Sequence, residues 1–185
     1  MMKKDIEFFN EALPMTDYVA RMTQADLKAG SEKIYNAFTV PQDGFAEKLS
    51  GLRVLAITED WCGDAMLNNP IVQKIAEAAH IDMRAAYRDA DTELIDRYLT
   101  NGGRAIPIYL FFNEAGDVVA KWGPRAPQLQ QMVMDARATL PDKEDPTFDE
   151  AQATMYGKLR QQYVEDPSMW AYVYDDVKRT VEQAL

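Results

Sequence analysis

The sequence predicts an α/β protein with a central mixed sheet flanked by helices. Three observations carry this expectation. Residues 53–58, Arg-Val-Leu-Ala-Ile-Thr, form an apolar run rich in β-formers, bounded by charge and too short for a helix. Residues 107–112 and 118–122 form two further runs around an Asn-Glu-Ala-Gly-Asp turn, which predicts an antiparallel hairpin. Stretches of helical periodicity separate the runs, so the order is strand, helix, strand, helix, strand, strand, helix.

The elements follow in chain order. Phe8, Phe9, Ala12 and Leu13 share one side of a short helix that Pro14 ends. Thr16 and Asp17 are candidate caps for a second helix reaching Arg21. Thr23, with Asp26 behind it, marks the start of a third, whose buried side carries Leu27, Ile34, Tyr35 and Phe38. Phe45 and Leu49 mark another short helix, closed by Gly51. After the first strand, a helix is expected to about Ala79, a second strand over residues 82–88, and a short helix over 93–99. Gly116 supplies positive φ in the hairpin turn, and Pro127 opens a helix reaching about Leu140. Beyond the polar linker 141–146, Met155, Leu159 and Tyr163 make one apolar stripe and Trp170, Val173, Val177 and Val181 another. Both are expected to pack on the central unit; a docking helix for a partner is the alternative.

Hydrophobic residues make up 47% of the 185-residue chain, enough for a sizeable core. A formal net charge of −10 argues against unspecific binding to nucleic acid or an anionic membrane. A single cysteine excludes an internal disulfide, and residues 1–7 lack the apolar stretch of a signal peptide, so a cytoplasmic location is expected. One His and one Cys leave only carboxylates for a metal, without recognisable spacing, and no glycine-rich phosphate loop is present. No cofactor is expected. Oligomeric state is left open.

The chemistry-bearing stretch is Trp61-Cys62-Gly63-Asp64-Ala65, placed directly after a strand and at a helix start. Pro70 stands eight residues after Cys62, and Arg104-Ala105-Ile106-Pro107 leads into the next apolar strand. Together these resemble the thioredoxin superfamily, over roughly residues 52–140. The resemblance implies a single thioredoxin-like domain over residues 1–185, with that stretch as its core and extra helical segments over 1–51 and 141–185. It also implies a cis peptide before Pro107, lying against the sulfur of Cys62. Within the superfamily the chain is similar to a group of bacterial proteins with Trp-Cys-Gly-Asp-Ala and Trp-Gly-Pro-Arg stretches.

A thiolate, not a thiol, attacks a disulfide. Cys62 at a helix N-terminus would face unpaired N–H groups and the positive end of the dipole, which favour the anion. Four departures from the family pattern bear on this. Ala65 stands where thioredoxins carry the second, resolving cysteine. Ala56 stands where they carry a buried Asp that assists the resolving step, so the two losses are consistent. Asp64 replaces a proline and would repel a thiolate. Glu59 and Asp60 would add to that negative field.

Cys62 is therefore the candidate catalytic residue, with a small buried hydrophobe as the alternative. Trp61, Gly63, Asp64, Ile106, Pro107 and Gly123 are the candidate substrate-contacting residues; Gly123 falls where the family keeps a glycine that lets a substrate chain approach. Arg104 is either a ligand for a substrate carboxylate or one side of an ion pair. His80 reads as a solvated helix end. The expected activity is monothiol exchange in cell redox homeostasis, with protein thiols, protein disulfides or glutathione as partners and an external thiol for resolution. The alternatives are a redox-inactive module binding a peptide or protein, and a peroxidase-like thiol, which would need a nearby Arg and a hydroxyl.

Overall fold

A computed structural model describes the whole chain, Met1–Leu185. Five strands form one mixed sheet: β1 (Leu13–Pro14), β2 (Arg53–Thr58), β3 (Met83–Tyr87), β4 (Ile108–Phe112) and β5 (Val118–Trp122), in the order β1-β3-β2-β4-β5. The β2–β3 pair is parallel and the other pairs are antiparallel. The helices are α1 (Asp5–Glu11), α2 (Met15–Ala20), α3 (Ala25–Ala37), α4 (Phe45–Lys48), α5 (Gly63–Ala79), α6 (Thr92–Ile95), α7 (Pro127–Ala138), α8 (Phe148–Glu165) and α9 (Pro167–Ala184).

The continuous apolar runs of β2 and β4 reflect burial of both sheet faces. Alternation sends Val54, Ala56, Tyr109 and Phe111 to one face and Leu55, Ile57, Ile108, Leu110 and Phe112 to the other. The first face packs against α3, α5 and α9 through residues such as Ile34, Ile71, Val173 and Val177. The second is covered by Phe8 and Phe9 of α1 and by Leu94 and Ile95 of α6. All seven apolar stripe residues of α8 and α9 are buried, so both helices pack on the central unit. Hydrogen bonds fix their seats: Trp122 Nε1 donates to Asp176 at 2.8 Å, and Trp170 Nε1 donates to the Tyr163 carbonyl at 2.7 Å.

Four elements differ from the sequence expectation. The second helix starts at Met15 with Pro14 at its N-cap, so Thr16 and Asp17 lie inside it and do not cap it. Leu13 leaves the first helix and, with Pro14, pairs with Ala85 and Arg84 as an edge strand. Thr23 caps no helix; its amide and hydroxyl both bind the Asp60 carboxylate, at 2.8 and 2.9 Å. The helix expected over 93–99 stops at Ile95, and Arg97 and Tyr98 turn toward Asp5 of α1. The hairpin turn has Gly116 at φ +90°, and Asn113 Oδ1 accepts from the Asp117 amide at 2.9 Å.

Pro70 lies inside α5 and has no N–H, so the Met66 carbonyl lacks its usual helical partner. The Ser31 hydroxyl of α3 donates to that carbonyl at 2.8 Å. This bond ties α3 to the helix that carries the candidate thiol.

Candidate functional site

Cys62 is the N-cap of α5, in an extended conformation, and its carbonyl accepts from the Met66 amide at 3.1 Å. The preceding strand β2 and the turn after Thr58 deliver it there. Its thiol lies 3.6 Å from the Ile106 carbonyl oxygen, to which it donates. The Ile106–Pro107 peptide is cis, and so is Gly123–Pro124. Ile106 and Pro107 are buried, whereas Trp61 is 49% exposed with the Arg88 guanidinium 5.1 Å over its ring.

Burial pushes the Cys62 thiol up to about 11, and the Asp64 carboxylate adds to the rise. The backbone amides of Ala65 and Asp64 and the charge of Arg125 act the other way without cancelling it. The sequence expectation that a helix N-terminus favours the anion is thus only one side of the balance; removal from water outweighs it. Glu59 and Asp60, expected to add to the negative field at the thiol, are not among the chief groups that shift it. Asp60 is engaged by Thr23, and the Glu59 carboxylate lies 3.5 Å from the Asp89 amide.

Asp64 is answered by a group that sequence reasoning missed. Arg125 Nη2 lies 2.8 Å from Asp64 Oδ2, with only 16% and 14% of the two side chains exposed. Burial opposes the Arg125 charge, but Asp64 outweighs it and holds the guanidinium above its ordinary pKa. Tyr163 of α8 donates to Asp64 Oδ1 at 3.3 Å; burial, then Asp64, raises its phenol pKa. The stem of Arg160, also on α8, lies over Gly63. A cavity of about 80 Å³ sits among Gly63, Asp64, Arg125, Tyr156, Arg160 and Tyr163. The only sequence signals were Arg125 in the Trp-Gly-Pro-Arg stretch and a tyrosine in an apolar stripe.

Gly123 has φ +122°, and a Cβ there would press into the Pro107 carbonyl oxygen. The need for glycine is met inside the chain, where two loops touch, before any substrate is considered. Arg104 pairs with Asp96 at 2.7 Å, not with Glu59 or Asp60. His80 is the exposed C-cap of α5, at φ +56°. In register opposite Ala56 stands Tyr109, stacked on Trp122 with ring centroids 5.7 Å apart. Tyr109 donates to Asn69 Oδ1 at 2.5 Å, and Asn69 Nδ2 donates to Thr58 at 3.2 Å. No group of three or more His, Cys, Asp or Glu side chains could hold a metal ion, and no helix is long and apolar enough to cross a membrane.

The thiol pKa gives a direct prediction. Alkylation of Cys62 by iodoacetamide should rise with pH to a midpoint near 11, against about 8.5 for a free cysteine. Asp64→Asn should move the midpoint down, because it removes a repelling charge while leaving the burial. A wild-type midpoint at or below the free-cysteine value would contradict this electrostatic picture.

A sequence model of one family, described as thioredoxin, matches residues 12–139. Among solved structures, a protein of unknown function from Pseudomonas aeruginosa is similar, with a TM-score of 0.64 and 17% identity, covering 100% of each chain. An HIV epitope-scaffold has a TM-score of 0.61 and 18% identity over 99% of this chain and 100% of its own. At these identities the likeness is one of fold. No curated protein matches the chain.

Proposed function

Because the chain belongs to the thioredoxin family, we propose that it carries out monothiol thiol–disulfide exchange through Cys62, with an external thiol completing each cycle. The observation that carries this reading is the seat of the sulfur: at the N-cap of α5, 3.6 Å from the Ile106 carbonyl that precedes Pro107. The Cys62 thiolate attacks one sulfur of a disulfide, forms a mixed disulfide and releases the other sulfur as a thiolate. Ala65 is 2% exposed and carries no sulfur, so resolution within the chain has no nucleophile. A glutathione-class thiolate then attacks the partner's sulfur, and Cys62 leaves as thiolate. A second external thiol reduces the resulting mixed species, so two external thiols are oxidised to one disulfide for each substrate disulfide reduced. A reducing cytoplasm would supply that thiol.

Trp61, Gly63 and Asp64 on the sulfur's side, with Ile106, Pro107 and Gly123 behind it, would frame the partner. At neutral pH a thiol with a pKa of about 11 is ionised only about once in ten thousand molecules. The anion of such a thiol is intrinsically more nucleophilic, which offsets part of that scarcity. Turnover should therefore be slow at neutral pH and accelerate about tenfold per pH unit. The test is glutathione-dependent reduction of a glutathionylated peptide by wild type and by Cys62→Ser. Protein-dependent turnover that vanishes in the variant is expected; equal rates with both proteins would refute the reading.

The same raised thiol favours a second reading, a module that binds a peptide or protein partner without turnover. On that reading Cys62→Ser leaves biological activity intact.

A further inference from the structure

A larger cavity, of about 390 Å³, opens between α2, α3 and α5 and shares no lining residue with the small cavity beside Asp64. That size falls within the range of small-molecule sites. Its apolar walls are Met15, Tyr18, Val19 and Met22 from α2 and the turn after it, with Pro70 of α5 facing them. Thioether and aromatic surfaces of this kind adapt to a flat ring.

Thr16, Glu32 and Asn36 stand on the wall exposed to water, and the less exposed polar groups can be accounted for one by one. Ser31 is engaged by the Met66 carbonyl, at 2.8 Å. Asn69 is engaged at both ends, by Thr58 and by Tyr109. The Tyr18 hydroxyl lies 3.4 Å from Thr58, and the Tyr35 hydroxyl donates to Glu77 at 2.5 Å. Gln73 differs. The residue is only 9% exposed, it lines the cavity, and its amide makes no hydrogen bond within the protein. A primary amide offers an acceptor and a donor side by side. A partner with a carbonyl next to an N–H satisfies both at once.

Charge narrows the ligand further. The cavity wall contains no Lys or Arg, and Glu32 is the one charged residue on it. The chain as a whole carries −10. An anionic ligand would meet repulsion with no compensating cation.

We propose that this cavity binds a small neutral ring compound bearing a carboxamide or lactam edge. The Gln73 amide donates to the ligand carbonyl and accepts from its N–H, while the partly exposed Val19, Met22 and Tyr35 cover the ring.

The test uses the full chain, labelled with nitrogen-15 and titrated with benzamide and with 2-pyridone, and toluene and benzoate serve as comparison ligands. Expected are saturable shifts of the Gln73 side-chain NH2 and of the Tyr18 and Ser31 backbone amides. Benzamide should bind about tenfold more tightly than toluene or benzoate, as a hydrogen-bonding site rejects analogues that leave its polar groups unpaired. Gln73→Leu should abolish that preference. No saturable shift with either amide, equal binding of benzamide and toluene, or unchanged benzamide affinity in Gln73→Leu would each overturn the proposal. Should Gln73→Leu not fold, the wild-type ranking of benzamide, toluene and benzoate decides alone. These outcomes do not depend on the chemistry at Cys62.

Discussion

Replacing Arg125 by methionine should destabilise the protein by about 2–3 kcal/mol and raise the pKa of Cys62, because it leaves the mostly buried Asp64 carboxylate without its counter-charge. Methionine keeps much of the side-chain volume, so the loss reports charge more than packing. The pair is slightly open to solvent, which places the effect toward the lower end of what a broken buried ion pair costs. Arg125 is also among the groups that lower the thiol pKa, so iodoacetamide alkylation should slow at any fixed pH below the midpoint. The companion experiment is Asp64→Asn with Arg125→Met. Removing both charges should recover most of the lost stability, since the penalty belongs to the unpaired partner. Urea denaturation and the alkylation profile check the two parts separately. Additive losses in the double variant would mean that the two side chains act independently.

Gly123→Ala should be at least as damaging, at about 3 kcal/mol. Two effects combine. The residue has φ +122°, a region closed to L side chains, for which about 1–3 kcal/mol is typical. The added Cβ also meets the Pro107 carbonyl oxygen, and backbone cannot give way as a flexible side chain can. Relief requires the loop bearing Ile106 and Pro107 to move, and Ile106 supplies the carbonyl that contacts the Cys62 sulfur. Denaturation midpoints should fall, and the rate of glutathione adduct formation at Cys62 should change with them. A loss below about 1 kcal/mol would mean that the loops separate freely and that the close approach is incidental.

The strands and long helices were legible because their signals are local. Residues 53–58 and 118–122 announce strands by composition and by flanking charge, and the structure places β2 and β5 on those same residues. The stripes of α8 and α9 predict buried faces, and those faces are buried. Leu13–Pro14 was not legible, because a two-residue edge strand has no period to read and is defined by its partner, β3. The site divides in the same way. Cys62, Pro107 and Gly123 are visible in sequence as members of motifs. Arg125 and Tyr163 join Asp64 across 61 and 99 residues, and no local pattern encodes a long-range ion pair or a hydroxyl contributed by a terminal helix. The partner of Asp60, Thr23, lies 37 residues away and was hidden for the same reason. The direction of the thiol pKa was left open by the sequence, where the helix N-terminus and Asp64 act in opposite senses. The helix N-terminus can be read from sequence, whereas the degree of burial that outweighs it depends on the assembled fold.

The central claim is that Cys62 forms a mixed disulfide which an external thiol resolves. Its most direct test is the intact mass of the native protein after incubation with glutathione disulfide at moderately alkaline pH, followed by added reduced glutathione. The account predicts one glutathione adduct, located on Cys62, formed faster as pH rises and removed by reduced glutathione. A folded protein that stays unmodified across that pH range, or an adduct that reduced glutathione does not remove, would contradict it.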